Sequence, residues 1–152
     1  MRYGWLPDLP DPRDHAFSAA IGLAVALPER VDLRAAFPPA YSQGALGSCT
    51  SQAIGAAMAF HLRPRRGFKT WMPSRLFIYF NERLAEGTVR VDAGAQIRTG
   101  IKSVAKQGCP HERLWPYSDA VPGAFSKRPP KPVYEVAKQR LVASYQRVPR
   151  TL

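Results

Sequence analysis

Apolar residues recur at helical spacing in three stretches of the chain, and each stretch is bounded by a glycine or a proline. The first begins at about Cys49 and is stopped by Pro64. The second follows Pro73, which suits the first turn of a helix, and ends at Gly87. The third covers 95–107 and is followed by a glycine. The pattern therefore predicts three helices, each with an apolar face.

The rest of the chain is rich in proline and glycine. Residues 1–27 are interpreted as an irregular arm, because the residue before a proline is pushed away from helical geometry. Residues 109–132 are also expected to be loop. A short fourth helix is predicted over 133–141 and a strand over 142–148. Such a strand would have nothing after it in the sequence with which to pair.

Composition places the chain among globular proteins. Of its 152 residues, 45% are hydrophobic and 22% are charged, which argues against wholesale disorder. No apolar run approaches the roughly 20 residues that a membrane-spanning helix requires, so no membrane association is expected. Two cysteines cannot form a disulfide framework. These numbers indicate one globular domain or a piece of one.

The chain is strongly basic, with 22 lysines and arginines against 11 acidic residues and a net charge of +11. A basic surface can bind nucleic acid. Here the bases are scattered apart from two short clusters, at 63–66 and 127–131, and neither is interleaved with aromatic residues. Nucleic acid is therefore not the expected partner, and a basic binding module is kept as a third hypothesis.

The N-terminal region contains the one stretch that imitates a targeting signal, the apolar run 16–27. A secretory signal has a positive lead-in, whereas Asp8, Asp11 and Asp14 precede this run. The unpaired cysteines agree with a reducing compartment, so a cytoplasmic location is expected. Intervening prolines argue against a calcium site at the three aspartates, and no metal or cofactor is expected.

The segment Gln43-Gly44-Ala45-Leu46-Gly47-Ser48-Cys49 carries the chemistry of the chain. Its glycines bracket a tight turn that delivers a cysteine to the first turn of a helix, where the helix dipole favours an anion. A thiol in that position ionises readily, and the thiolate is the nucleophilic form. The Gln43 amide and the Cys49 backbone N–H can both donate to a developing oxyanion. This combination is typical of acyl transfer by a cysteine.

With these residues the sequence resembles the papain-like cysteine peptidases. Other segments are similar to that family and follow in the same order along the chain. They are an arm similar to the start of bacterial members (4–14), an opening of the domain (Val31-Asp32-Leu33-Arg34), a substrate-binding segment (Asp92-Ala93-Gly94-Ala95) and a closing segment of the first lobe (Gly108 through Trp115-Pro116-Tyr117). The resemblance covers nearly the whole chain.

The resemblance implies an α+β family fold, of which this chain is mainly the helical first lobe, truncated at the start of the β-rich second lobe. The arm would be 1–27, the first lobe 28–141, and the start of the crossover 142–152. Cys49 would be the nucleophile and Gln43 the oxyanion-hole donor. The residues that would bind substrate are Gly47, Ser48, Gly94 and Ala95.

The sequence departs from the family pattern mainly in length. The general base His and its orienting Asn lie roughly 130–150 residues after the family's cysteine, which places them beyond Leu152. His61 cannot replace the base, since it lies about 18 Å further along the same helix. His15 and His111 do not match the family's position either. Thr50 replaces the aromatic residue that commonly follows the nucleophile.

The expected function is cysteine-type hydrolysis of a peptide or protein substrate, with the chain inactive by itself. A second polypeptide that supplies the missing lobe is one way to complete the enzyme. The alternative is a non-catalytic fragment, or pseudo-peptidase, that binds a peptide or a partner through the same face. Substrate preference is not encoded in this part of the sequence, because the other lobe contributes to the pockets.

Overall fold

The computed structural model describes residues 3–17, 28–62, 71–120 and 123–148. The basic cluster at 63–66 and residues 18–27 of the apolar run lie outside this part of the chain. Four α-helices lie within it: α1 Cys49–Leu62, α2 Arg75–Glu86, α3 Ile97–Gln107 and α4 Lys131–Ala137. None of these helices is both long and apolar enough to cross a membrane.

The three main helices confirm the sequence prediction, and their ends show why. The hydroxyl of Ser74 accepts a hydrogen bond from the backbone N–H of Phe77 at 3.2 Å, which caps the start of α2. Gly87 ends α2 in the left-handed conformation, with φ of 74°. Gly108, also at φ 74°, ends α3. Local capping chemistry therefore sets these boundaries.

The start of α3 differs from the prediction. Residues 95–96 are not helical but form a short strand, β2 Ala95–Gln96, which pairs in parallel with β1 Trp5–Leu6. Because the arm takes up the backbone hydrogen bonds of β2, the helix begins two residues later, at Ile97. The arm is thus irregular only in part, since it contributes a strand to a two-stranded sheet.

The C-terminal region also differs from the prediction. Helix α4 covers Lys131–Ala137 instead of 133–141, because prolines in the first turn of a helix lose no hydrogen bond. The strand predicted over 142–148 does not form. Instead, Arg147 makes a single parallel bridge to the arm, where its N–H donates to the carbonyl of His15 at 2.8 Å. The partner of this segment precedes it in the sequence.

The core lies where α1, α2 and α3 cross. A Cβ at Gly100 on α3 would stand 2.3 Å from Ile54 Cδ1, so a larger residue there would require the Ile54 side chain to shift. The largest group of buried apolar residues in this region joins Ile54, Met58, Trp71, Ile78, Val104 and Cys109. On α2, the fully buried Arg83 donates to the carbonyls of Val89 and Val91. This arginine fixes the course of the chain towards Gly94.

Candidate active site

The cysteine of interest occupies the first position of the central helix. Cys49 begins α1 and is half-buried. The turn before it requires glycine, since Gly44 has φ of 59°. Gln43 is buried, and its amide N–H donates to the carbonyl of Leu46 at 2.7 Å. The glutamine thus helps to close the 43–49 loop that delivers Cys49 to the helix.

One side of the 43–49 loop is held by Tyr117. Its hydroxyl donates to the carbonyl of Gln43 at 2.8 Å and lies 2.5 Å from the hydroxyl of Ser48. On α1, the side-chain amide of Gln52 donates to the same Ser48 hydroxyl at 3.0 Å. Ser48 is consequently fully buried. These bonds run in one direction from Gln52 to Gln43 and tie both ends of the loop together.

The support beneath Tyr117 comes from Arg75 at the start of α2. The Arg75 guanidinium lies 4.6 Å from the ring centres of both Tyr41 and Tyr117. It also donates to Glu112 at 2.7 Å and to Gln52 at 3.1 Å. Its side chain and that of Glu112 are only 11% and 14% exposed. A largely desolvated cation therefore orders the residues that orient the loop.

Two aspartates hold the backbone N–H groups in the middle of the 43–49 loop. The Asp119 carboxylate accepts from Ala45 N–H at 3.0 Å. Both oxygens of Asp92 lie 3.0 Å from the N–H of Gly47. Sequence reasoning identified neither aspartate as a functional residue. The only available signal was the position of Asp92 in the 92–95 segment that resembles the peptidase family, and it carried no information about its partner. Asp119 lies outside every such segment.

The predicted substrate-binding residues are brought together around the arm, except for the inward-facing Ser48. Ala95 N–H donates to the carbonyl of Gly4 at 2.8 Å. A Cβ at Gly4 would lie 1.7 Å from the Gly47 oxygen, and a Cβ at Gly94 would lie 1.9 Å from the Gly4 oxygen. The arm backbone thus passes between Gly47 and Gly94, in a space that we call the cleft. Three glycines make this passage possible.

The arm is also attached by ion pairs to α3. Arg98 donates to the carboxylate of Asp14 at 2.6 Å and to the carbonyl of Leu9, also at 2.6 Å. Asp11 lies 3.6 Å from the ammonium group of Lys102. Arg147 adds a further contact to Asp14 at 3.3 Å. Asp11 and Asp14 are therefore paired with cations of the protein, Asp8 accepts the backbone N–H of Arg98, and the described residues contain no cluster suited to a metal ion.

A buried acid lies beneath the start of α1. Glu82 on α2 is fully buried, and it accepts a hydrogen bond from the hydroxyl of Thr50 at 2.7 Å. Burial raises the pKa of Glu82 to about 8, so the carboxyl is mostly protonated at neutral pH. Thr50 directly follows Cys49 in the sequence. Glu82 was not identified from the sequence, since a glutamate within a helix is ordinarily a surface residue.

The other cysteine and the histidines have separate environments. Cys109 is fully buried, and this burial raises the pKa of its thiol well above the ordinary value. His61 lies in the last turn of α1, at the opposite end from Cys49. His111 packs edge-on against Trp71, while the carbonyl of His15 bonds to Arg147. None of these contacts brings a histidine to Cys49.

These features define a half-buried cysteine at a helix start, beside a cleft that holds an extended backbone. The same architecture occurs in the crystal structure of xylellain, a cysteine protease from Xylella fastidiosa. The match covers 98% of this chain and 59% of the xylellain chain, with a TM-score of 0.89 and 40% sequence identity. No protein-family model matches the chain.

Two further proteins show the extent of the likeness. An uncharacterized peptidase C1-like protein of Acanthamoeba polyphaga mimivirus is 47% identical over 106 residues, which are 70% of this chain and 33% of that protein. A crystal structure concerned with the mite allergens Blo t 1 and Der p 1 matches 70% of this chain and 36% of its own at a TM-score of 0.56. At 17% identity, this last likeness concerns the fold alone.

The chain belongs to the papain-like cysteine peptidase family and carries the mostly helical first lobe of that fold. It spans 59% of the length of xylellain and 33% of the viral relative. The fold class expected from the sequence is thereby confirmed.

Proposed function

We propose that the chain is the nucleophile-bearing lobe of a cysteine-type peptidase. The Cys49 thiolate attacks the carbonyl carbon of a peptide bond and forms a C–S bond. The C–N bond then breaks, and the leaving amine takes a proton from the general acid. Water hydrolyses the resulting thioester and regenerates the thiol. The position of Cys49 at the first residue of α1, beside the cleft, is the observation that supports this proposal.

The remaining roles follow from the resemblance to the papain-like family. Gln43 and the Cys49 backbone N–H stabilise the oxyanion. The peptide backbone lies where the arm now lies, against Gly47, Gly94 and Ala95, with Ser48 behind the loop. This assignment is supported by the hydrogen bond from Ala95 N–H to an extended backbone, that of Gly4. The substrate is therefore a peptide or protein in an extended conformation.

The general base is proposed to come from outside these 152 residues. The family's His and Asn would be supplied either further along the polypeptide or by a second one. In this division 1–27 is the arm, 28–141 the lobe and 142–152 the start of the crossover. The free thiols Cys49 and Cys109 favour a reducing, cytoplasmic environment. Without the base, we expect peptide hydrolysis by this chain to be very slow.

Alkylation with iodoacetamide, followed by peptide mapping, tests the nucleophile. We expect Cys49 to react at least about tenfold faster than Cys109, because only Cys49 is accessible and lies at a helix start. Cys49→Ser should remove the fast-reacting thiol, whereas the matched variant Cys109→Ser should leave it. Equal alkylation rates for the two cysteines in the native chain would contradict the proposal.

A non-catalytic, peptide-binding role is the second candidate. It is favoured by the arm, since the cleft already holds an extended backbone through the Ala95–Gly4 hydrogen bond. Peptide binding by Cys49→Ser, measured by fluorescence anisotropy, tests the cleft independently of the thiol. Binding without any preferential alkylation of Cys49 in the native chain would support this second role over the first.

A further inference from the structure

A chain of hydrogen bonds connects the two walls of the cleft through the protein interior. The N–H of Gly94 donates to the hydroxyl of Tyr79 at 3.2 Å. The Tyr79 hydroxyl in turn donates to the carboxylate of Asp92. The same carboxylate accepts the N–H of Gly47 with both oxygens at 3.0 Å. Asp92 is itself part of the 92–95 segment, so its carboxylate joins this segment directly to the 43–49 loop. The Tyr79 hydroxyl holds that carboxylate and the Gly94 N–H together against α2.

The tyrosine at the centre of this chain is rigidly held. Tyr79 lies in the middle of α2, is fully buried, and packs with Leu46 and Leu76. The Arg83 guanidinium lies 4.0 Å from its ring centre. Burial, together with the bond to Asp92, raises the pKa of Tyr79 well above its ordinary value. The hydroxyl therefore keeps its proton and remains a donor to Asp92.

Nothing covalent links the two walls of the cleft. Gly47 and Asp92 are 45 residues apart in sequence, and the two cysteines of the chain are both free. Both walls rely on glycine, at Gly47 and Gly94, and glycine has the largest backbone freedom. An anchor from a rigid helix can restrict this freedom.

We propose that Tyr79 and Asp92 are positioning residues that fix the spacing between the 43–49 loop and the 92–95 segment. This proposal rests on the proposed function, because that spacing determines how a peptide bound along Gly94 and Ala95 meets Cys49. Neither residue touches the reacting atoms. Their effect reaches Cys49 and the substrate through the N–H groups of Gly47 and Gly94.

Amide hydrogen exchange of the full chain, followed by NMR, tests the coupling with Tyr79→Phe, which removes only the hydroxyl. Tyr79 contacts Gly94 N–H but not Gly47 N–H. We call the hydrogen bonds from Gly94 through Tyr79 and Asp92 to Gly47 the relay. If the relay holds both walls, exchange should accelerate about five- to tenfold at both amides, which corresponds to the loss of about one hydrogen bond. Faster exchange at Gly94 alone would overturn the proposal.

The matched control is Tyr134→Phe. The Tyr134 hydroxyl donates to Asn81 on the same helix α2 at 2.9 Å and does not touch the cleft. In this variant the exchange rates of the Gly47 and Gly94 amides should not rise more than those of the amides in α3. If both tyrosine variants accelerate exchange equally at all amides, the Tyr79 effect is a general loss of stability and the proposal fails.

The conservative series at Asp92 provides a second readout. Asp92→Asn keeps an oxygen that can accept from Tyr79 and Gly47, whereas Asp92→Ala removes every acceptor. We expect Asp92→Ala to accelerate amide exchange at Gly94, whose N–H does not contact Asp92. Asp92→Asn should keep most of the protection that the native chain shows at this amide. Equal effects of Asn and Ala would contradict the relay. Alkylation of Cys49 in the native chain, measured in parallel, tests the proposed function separately, because exchange requires no activity.

Discussion

The 43–49 loop and the N-terminal arm meet at Gly47 and Gly4, yet they are held by different kinds of interaction. The loop is held mainly by hydrogen bonds from buried or half-buried side chains, among them Tyr117 and Asp92. The arm is held by a two-residue strand and by ion pairs such as Asp14–Arg98. A loop of the first kind is ordered in advance of any ligand. We therefore expect the arm to leave the cleft more readily than the loop changes its conformation.

This difference matters for the candidate chemistry. Preorganised donors contribute most to an oxyanion site because they need not reorganise during the reaction. In the proposed function the cleft has the opposite requirement, since a peptide would reach the Ala95 N–H only if the Gly4 carbonyl, which now accepts it, were displaced. A stable loop beside a separable arm satisfies both requirements.

The largest effect is expected from Gly4→Val, which blocks the seat of the arm. A Cβ at Gly4 would lie 1.7 Å from the Gly47 oxygen, and neither backbone can yield by that amount. We therefore expect the arm to leave the cleft, so that exchange at the Ala95 amide accelerates by about two orders of magnitude or more. Hydrogen exchange by NMR measures this effect.

The control for this change is Leu9→Val, in an arm residue whose side chain is 74% exposed. It should leave the Ala95 amide protected. The Gly47 amide should stay protected in both variants, because its partner Asp92 does not belong to the arm. If Gly4→Val also releases Gly47, the loop depends on the arm and the contrast is wrong.

The next effect concerns pH and the buried acid beneath the loop. The pKa of Glu82 is raised in the folded chain from 4.5 to about 8. The folded state therefore binds a proton that the unfolded state has released, and this contribution to stability falls as pH rises from 4.5 to 8. By pH 7 the folded state has lost about 3 kcal/mol of stability through this carboxyl, compared with pH values well below 4.5.

Glu82→Gln should remove this pH dependence. In urea denaturation between pH 5 and 8, the difference in unfolding free energy between the variant and the native chain should grow in favour of the variant. Glu135→Gln is the control, since Glu135 pairs with Lys138 on the surface and its side chain is 55% exposed. A difference that stays constant across this range would show that Glu82 is not held neutral by the fold.

The sequence was sufficient for the elements whose signals are local. Helices α2 and α3 have apolar periodicity, α1 is rich in apolar residues throughout, and glycines or prolines mark their ends. Cys49 at the start of α1 was predictable for the same reason. The buried face of α1 also includes Thr50, Ser51 and Gln52, which periodicity did not indicate. The start of α3 and the extent of α4 were misplaced because a two-residue strand has no periodicity, and because prolines at 130 and 132 fit a first helical turn.

The supports of the candidate site were not predictable, since each joins distant parts of the chain. Tyr117 and Ser48 are 69 residues apart, and Gly47 and Asp92 are 45 apart. The passage of the arm depends on three glycines that are separated in sequence and meet only in the folded chain. Residue types along a single sequence do not reveal such pairings.

The smallest expected effect is that of salt on the arm. Asp14 and Arg98 retain side-chain exposures of 12% and 14%, and Lys102, beside Asp11, retains 42%. The Asp14–Arg98 pair is too buried for strong screening, so salt acts mainly through the more exposed contacts of Lys102 and of Arg147, whose side chain is 43% exposed. Raising NaCl from about 0.05 to 0.5 M should therefore accelerate exchange at Ala95 only about two- to fourfold. The exchange rate of the Gly47 amide should change less than about twofold, because its acceptor Asp92 is held by Tyr79 beneath the cleft.

The ion pairs themselves can be tested with Asp14→Asn, which keeps the shape of the side chain but removes its charge. Exchange at Ala95 in this variant should already be fast at low salt and should respond only weakly to added NaCl. Asp32→Asn is the matched control, since Asp32 pairs with Arg30 and Arg34 outside the arm. An equal response of Ala95 and Gly47 to salt in the native chain would mean that the arm and the loop open as one unit, and that the arm cannot leave the cleft independently.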